Sequence, residues 1–339
     1  MSLRFAINGF GRVGRALLRA ARELPGIEIA ACNDIVPLPQ LARLLARDTV
    51  HGSFPGRVEA VEGGLQIDGS FLPVFQEPDP ARIDWPRHGV TAVVEATGRF
   101  LARSRAAAHL RGGVRTVILS ANADPADPAD FTVCLGLNQD AWEPERAPVT
   151  SNASCTTNAL ALVAKVLDDG FGVRHALMST VHSYTENQRL LDLPHPDPRR
   201  SRAAALNIIP TATTAAAAVG DLLPALAGRI GGQAIRVPTP AVALLDLVAV
   251  TERPAPVAAL AEAFRTAADG PLAGFLGVTE EELVSSDFIN DPRSAVVDLP
   301  LLESRGDHLV RILAWYDNEW GYAHRLADLL ALLAVRTSS

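Results

Sequence analysis

The sequence of 339 residues predicts an α/β protein in two domains. Residues 1–153 read as a doubly wound parallel sheet, and residues 154–319 as an α+β domain with a mixed sheet. A helix over about 320–339 is expected to return to the first domain. Three observations lead there. Strand and helix patterns alternate through the first third, a glycine-rich turn joins the first strand to the first helix, and the character of the chain changes near Thr150.

Taken in order, Leu3–Asn8 reads as a short buried strand, and residues 12–23 as a helix with apolar Val13, Leu17, Leu18 and Ala21 on one face. Ile27–Asn33 is a second apolar strand, and residues 37–45 a helix. Residues 91–96 form a strand that is apolar apart from its ends and Glu95. An alanine-rich helix over 103–110 and a strand over 114–119 follow. Strands interleaved with helices imply parallel pairing. Beyond Thr150 a long helix is expected over 158–167, with strands over 233–237, 244–251 and 310–316. Residues 191–202, LDLPHPDPRRSR, carry three prolines and three arginines, which preclude a helix and predict an ordered loop. An amphipathic helix over 322–335 closes the pattern, and no internal repeat interrupts it.

Composition narrows the function. Hydrophobic residues make up 48% and charged residues 20%, values of a folded globular chain. A net charge of −7 argues against a nucleic-acid footprint, which needs a basic face. Only three cysteines occur, Cys32, Cys134 and Cys155, with no CxxC pair and no adjacent histidine tract, so neither a metal site nor a disulfide framework is signalled. The N-terminus lacks a secretory h-region, and the longest charge-free run near the middle contains Asn207, Pro210 and several threonines. A soluble cytoplasmic protein is expected.

Gly9-Phe10-Gly11-Arg12-Val13-Gly14 is a GxGxxG pattern that follows a predicted strand and opens a predicted helix, with Asp34 ending the next strand. Gly9 permits a tight turn, Gly11 lets the backbone approach a pyrophosphate, and Gly14 lets the helix pack closely on the sheet. The helix N-terminus then offers N–H groups to the anion. Asp34 can accept from ribose hydroxyls and repels a 2′-phosphate, so a Rossmann domain that binds NAD is expected.

Ser151-Asn152-Ala153-Ser154-Cys155-Thr156-Thr157-Asn158 places a cysteine just before a helix. A thiol there has its anion stabilised by the dipole and nearby N–H groups, which predicts a lowered pKa. Cys32, on an apolar strand, and Cys134 instead suit inert buried positions.

SNASCTTN, together with INGFGRVGR near the start, closely resembles the phosphorylating glyceraldehyde-3-phosphate dehydrogenase family. The resemblance continues through HSYTENQ (182–188), LDLPHPDPRRSRAAALNIIPT (191–211), RVPTP (236–240) and WYDNEWGY (315–322), in family order and over nearly the whole chain. It implies that Cys155 is the nucleophile and His182 its base. An imidazole within reach of a thiol is expected to form a thiolate–imidazolium pair, the activated nucleophile, and the expected course runs through a hemithioacetal and a thioester that inorganic phosphate attacks. By the same resemblance the substrate's phosphate would meet Thr185, Arg202 and Arg236, and the attacking phosphate Ser154, Thr156 and Thr213, with the backbone N–H of Thr214 beside it. The resemblance also assigns Asn318 to the nicotinamide carboxamide with Tyr322 nearby, and the loops at Thr97 and Ser120 to the adenosine half. The loop from about 182 to 205 would be a subunit interface, which implies a homotetramer. His88, His109, His175, His308 and His324 are read as structural hydrogen bonders.

Some positions depart from the family's pattern: Thr214 and Ala217 stand where glycine and lysine are usual, Asn187 replaces an aspartate, and Pro78 replaces an arginine facing adenine. A sister reading, erythrose-4-phosphate dehydrogenase, would keep nucleophile and base but release a free acid by hydrolysis. HPDPRR, DFINDPRSAVVD and the loss of glycine at 214 lean that way, whereas Tyr184-Thr185 and Leu193-Pro194 lean towards glyceraldehyde 3-phosphate. A non-catalytic NAD-binding scaffold would predict loss of the cysteine or histidine, and both are present.

Overall fold

The computed structural model describes residues 2–22 and 24–337. Glu23, the last residue of the expected first helix, and the final two residues of the expected C-terminal segment lie outside that range, as does Met1. Two compact units divide the chain: one takes the described residues within 1–133, 139–153 and 323–339, and the other residues 134–138 and 154–322.

In the first unit, β1 (Leu3–Asn8), α1 (Arg12–Ala21), β2 (Ile27–Asn33) and α2 (Leu38–Ala46) come where the patterns put them. A short pair, β3 (Arg47–Asp48) and β4 (Gly52–Ser53), precedes a meander of β5 (Val58–Val61), β6 (Gly64–Ile67) and β7 (Ser70–Phe75). Then come β8 (Ala92–Glu95), α3 (Arg103–Ala106), β9 (Thr116–Leu119), β10 (Phe131–Thr132) and β11 (Val149–Ser151). The nine-stranded sheet runs β10-β11-β9-β8-β1-β2-β7-β6-β5. Every pairing from β10 to β7 is parallel, and only the meander is antiparallel. The expected helix over 103–110 is shorter: it tightens into a 3-10 turn at Ala107–His109 just before Gly112 and Gly113, both with positive φ.

The glycine turn is held by close approach. A Cβ on Gly14 would lie 2.2 Å from the carbonyl oxygen of Gly9, so only glycine lets α1 pack this near β1. Gly9 has φ +96° and would clash with the backbone of Ala96 and Thr97 at 2.7 Å. Gly11, by contrast, faces open space. Beneath the turn, Ala6, Ala31, Trp85 and Val93 form a dry core. Residues 323–337 belong to this unit, and Arg336 donates to the carbonyls of Gln139 (2.8 Å) and Trp142.

In the second unit, α4 (Cys155–Phe171) begins three residues before the expected helix and continues beyond it. It is followed by β12 (Val173–Ser183), β13 (Ile209–Thr211), α5 (Ala215–Leu222), β14 (Ile230–Val237), β15 (Ala243–Thr251), α6 (Val257–Asp269), β16 (Leu276–Thr279), β17 (Ala295–Asp298), β18 (Glu303–Arg305) and β19 (Leu309–Tyr316). The eight-stranded sheet runs β13-β14-β12-β15-β19-β17-β16, with β18 on β19, and is mixed: β12 is parallel to β14 and antiparallel to β15. Leu160, Val163 and Leu167 of α4 are fully buried against the inward side chains of this sheet, including Met178, Leu245 and Ile312. Residues 191–202 form the irregular loop that their prolines imply. The last helix, α7 (Trp320–Thr337), starts where the Asp317 carboxylate accepts from the backbone N–H groups of Glu319 and Trp320.

Gly14→Ala is expected to destabilise the protein by about 1–3 kcal/mol, the usual cost of forcing atoms into a packed site. Gly11→Ala should stay within about 0.5 kcal/mol. Urea unfolding of both variants checks this, and equal losses would refute the assignment of separate roles to the two glycines.

Candidate active site

The second unit builds its centre on the first turn of α4. Ser154 caps the helix, its hydroxyl accepting from the backbone N–H of Thr157 at 3.1 Å. Cys155 follows as the first helical residue. Its sulfur lies 3.8 Å from Nε2 of His182 and 3.9 Å from Oγ1 of Thr156. His182 stands near the end of β12, only 4% exposed. The parallel register of β12 on β14 sets Arg236 directly opposite it. The Arg236 guanidinium reaches Nδ1 of His182, and its Nη1 also donates to the carbonyl of Ser183 at 3.0 Å. Nδ1 lies 2.8 Å from that same carbonyl.

Tyr316, at the end of β19, closes one side of the pair. Its buried hydroxyl bridges Thr156 Oγ1 (2.9 Å) and Thr180 Oγ1 (2.7 Å), and its ring stands edge-on to His182 at 6.1 Å. Ser183 donates to Oδ1 of Asn318 at 3.0 Å, which ties the asparagine to the same strand end.

The electrostatics differ from the expectation drawn from helix position alone. Burial pushes the Cys155 thiol up, although the Thr156 hydroxyl, the Arg236 charge and the backbone N–H groups of Thr156 and Cys155 pull the other way. A helix terminus typically contributes 0.3–1 kcal/mol, whereas burial can move a pKa by as much as 3–5 units. The larger effect therefore sets the direction, even though part of the residue reaches solvent. Burial also leads for His182, and with the Arg236 charge it pushes the imidazole down to about 3. Burial therefore disfavours charge on both members of the pair.

The other phosphate-site candidates are engaged locally. Thr185 directs both its N–H and its hydroxyl to Gln188 Oε1, at 2.8 and 2.9 Å. Arg202 pairs with Asp192 at 2.8 Å on the exposed loop. Thr213 accepts from the N–H of Ala215 at 3.2 Å, and Thr214 occupies the N-cap position of α5 without a side-chain cap. Of the expected anion-binding residues, Thr156 and Arg236 join the cysteine–histidine cluster directly.

In the first unit, the features of a dinucleotide cradle are present. Gly11 opens α1 without a side-chain cap and without an acidic residue in the first turn, so the helix end is available to an anion. Asp34 accepts from the N–H of Phe10 (2.8 Å) and of Val36 (3.0 Å), which keeps its carboxylate beside the turn. Arg12 pairs with Asp48 at 2.5 Å, Val13 is half-buried, and the N–H of Ser120 donates to the carbonyl of Glu95. Thr97 donates from both N–H and hydroxyl to Glu95 Oε1, at 2.8 and 2.5 Å. These residues fit a pyrophosphate at the helix end and a ribose at Asp34. Asn318 and Tyr322 belong to the second unit.

Sequence reasoning missed the cluster behind that turn. Glu95 is fully buried and takes donors from Asn8 (2.5 Å) and His109 (3.1 Å) as well as Thr97. Trp85 donates to Nδ1 of His109 at 3.0 Å, so Nε2 of His109 carries the proton facing Glu95. A lone acid inside an apolar strand was the available signal. It also missed Tyr316, the Ser183 carbonyl and the Asp48 partner of Arg12, which depend on long-range pairing.

Comparisons with known proteins agree along the whole chain. Residues 3–103 match the family model for the glyceraldehyde 3-phosphate dehydrogenase NAD binding domain, and residues 154–318 match that for the C-terminal domain. The chain is 49% identical over 335 residues to a glyceraldehyde-3-phosphate dehydrogenase of Kitasatospora aureofaciens, covering 98% of this chain and 99% of the relative. It is 46% identical over 334 residues to glyceraldehyde-3-phosphate dehydrogenase 1 of Bacillus subtilis, and 47% identical over 334 residues to the Geobacillus stearothermophilus enzyme, each with 98% and 99% coverage.

The depressed imidazole has a consequence for stability. Between pH 6.5 and about 3 the unfolded chain protonates His182 while the folded chain does not, so stability falls as pH drops through that window. In His182→Asn this part of the acid-induced loss should disappear. Thermal unfolding at pH 7 and pH 4 is expected to show a smaller gap for the variant; an unchanged gap would contradict the assignment.

Proposed function

The chain belongs to the glyceraldehyde-3-phosphate dehydrogenase family, and on that premise we propose that it oxidises glyceraldehyde 3-phosphate with NAD and inorganic phosphate to 1,3-bisphosphoglycerate. The observation that carries this reading is the contact of Cys155 Sγ with His182 Nε2 at 3.8 Å on the first turn of α4. Gly9, Gly11, Arg12, Val13, Gly14, Asp34, Thr97 and Ser120 would hold the dinucleotide, with Asn318 and Tyr322 towards its nicotinamide. When bound, that ring supplies the hydride acceptor.

The residues of the chain do the rest. The thiol passes its proton to Nε2, and the sulfur adds to the aldehyde carbon to give a hemithioacetal on Cys155. The nascent oxyanion takes hydrogen bonds from the backbone N–H of Cys155 and from Nε2–H. The imidazole then accepts the hydroxyl proton as the carbon is oxidised, leaving a thioester. Phosphate held by Ser154, Thr156, Thr213 and the N–H of Thr214 attacks the thioester carbon, and the thiolate leaves. Arg236, Thr185 and Arg202 are assigned to the substrate's own phosphate, the planar guanidinium fork pairing two oxygens at once. Arg202 must first give up Asp192.

A homotetramer is part of the proposal. Leu190, Leu191, Leu193, Leu206 and Ile208 are all exposed along the 190–208 segment, more apolar surface than a loop of one chain ordinarily leaves in water. Among the described residues, no helix is long and apolar enough to cross a membrane. None of the three cysteines is in a disulfide, which supports a reducing, cytoplasmic setting.

Purified protein given glyceraldehyde 3-phosphate and NAD is expected to reduce NAD only when inorganic phosphate is present. Phosphate-independent turnover of erythrose 4-phosphate would replace this reading with the hydrolytic sister reaction. Cys155→Ala should lose turnover by roughly three orders of magnitude or more, as removal of a nucleophile does, while NAD affinity stays within a few fold. Substantial residual activity would mean that the nucleophile lies elsewhere.

A further inference from the structure

Beneath the glycine turn a line of buried side chains crosses the sheet at the ends of β2, β1 and β8, and its hydrogen bonds converge on one group, Glu95. The backbone N–H of Glu77, the residue before Pro78, donates to Asn33 Oδ1 at 2.9 Å. Asn33 Nδ2 donates to Asn8 Oδ1 at 2.7 Å, and Asn8 Nδ2 to Glu95 Oε2 at 2.5 Å. From the other side Trp85 Nε1–H donates to Nδ1 of His109, whose Nε2 then donates to the same carboxylate oxygen at 3.1 Å. The N–H and hydroxyl of Thr97 meet Oε1. Asn8, Asn33, Trp85, Glu95 and His109 are all buried, which keeps bulk water from replacing these links.

The direction of the line is forced. An asparagine or histidine side chain can turn over and exchange donor for acceptor, but a peptide N–H and an indole N–H cannot. Two such fixed donors, Glu77 and Trp85, begin the two arms, and a third stands at Thr97. The group where the arms meet must therefore accept on both of its terminal atoms, which a carboxylate does and an amide does not.

From this convergence we infer that Glu95 is a positioning residue for the dinucleotide, which sets the backbone of the residues that the cofactor meets. Each link adjoins one of them in the chain. Asn8 precedes Gly9, Asn33 precedes Asp34, and Thr97 is itself assigned to the adenosine half. Glu95 is fully buried and acts through these neighbours rather than by contact. The inference rests on the cofactor site proposed above and deepens it, by tracing the shape of that site to one acid behind it.

Glutamine is the sharpest probe, since it keeps the shape of Glu95 and turns one oxygen into a donor. Placed towards Asn8 and His109, the new NH2 meets two donors. Placed towards Thr97, it can donate to the hydroxyl oxygen but still faces the peptide N–H. The second placement leaves fewer donors unmatched, and it drives the peptide of Thr97 away. The free protein relieves the conflict by letting the chain pivot at Thr97 and Gly98, whereas dinucleotide binding needs it back. The loss therefore appears in cofactor affinity.

The test is NAD affinity, by calorimetric titration of the full-length protein, beside kcat at saturating NAD and the melting temperature without ligand. Glu95→Gln is expected to weaken NAD binding about tenfold, as one unmatched buried donor does, with kcat kept within about twofold, the pattern of lost uniform binding. A second pair of variants asks the same of His109. Glutamine there can accept from Trp85 and donate to Glu95, and leucine can do neither. His109→Gln should bind NAD within about twofold of wild type, while His109→Leu weakens it severalfold. A purely structural role would lower the melting temperature of Glu95→Gln and His109→Leu and leave NAD affinity unchanged. That result overturns the inference, as does equal affinity in the two His109 variants. If only one of Glu95→Gln and His109→Leu is recovered folded, that one decides; if neither is, the cluster is a condition of folding and the inference falls. Asp34→Ala separates the premise from the inference. Unchanged NAD affinity in Asp34→Ala would mean that the dinucleotide lies elsewhere, whereas a weakened Asp34→Ala beside an unaffected Glu95→Gln removes the positioning role alone.

Discussion

The contact on which the second unit's chemistry depends is the desolvated meeting of one sulfur and one imidazole. Sγ of Cys155 and Nε2 of His182 are 3.8 Å apart because a helix begins at Cys155 and a strand ends just past His182. Ser154 fixes the first of these by capping α4, and the buried ladder between β12, β14 and β15 fixes the second. Tyr316 locks the two together through Thr156 and Thr180. The cost of this arrangement is electrical. The surroundings that exclude water from the pair also disfavour charge on either member, and the helix end is too weak to compensate.

The first unit solves a different problem by the same means. There, close approach rather than desolvation is the constraint, and Gly14 and Gly9 meet it with no side chain to spare. Behind the turn, Glu95 holds a buried carboxylate between Asn8, His109 and Thr97, with Trp85 fixing the histidine's tautomer. Four donors converge on its two oxygens, which ties the strand ends around the glycine turn to one another.

Much of this was readable in the sequence because it is local. The glycine spacing, Asp34 at the end of β2, the apolar strands of the parallel sheet and the cysteine at the start of α4 all express relations between residues close in the chain. What escaped is set by pairing between distant strands. Arg236 lies 54 residues from His182, and only the β12–β14 register makes them neighbours. The sign of the thiol's pKa escaped for the same reason: helix position is visible in SNASCTTN, but the burial that outweighs it is delivered by the sheet. The β5–β7 meander was likewise assembled from segments with weak periodicity of their own. Family resemblance supplied roles for Thr185, Arg202 and Arg236, and the geometry adds which of them already touches the reacting pair.

The central claim is that burial, rather than the helix end, sets the direction in which the Cys155 thiol is shifted, and thiolate ultraviolet absorbance reports on it directly. The difference between wild type and Cys155→Ser, followed through a pH titration of the protein freed of NAD, is expected to show thiolate only above the ordinary thiol range of about 8.5. Thiolate absorbance already complete at neutral pH and persisting into acid would contradict the account.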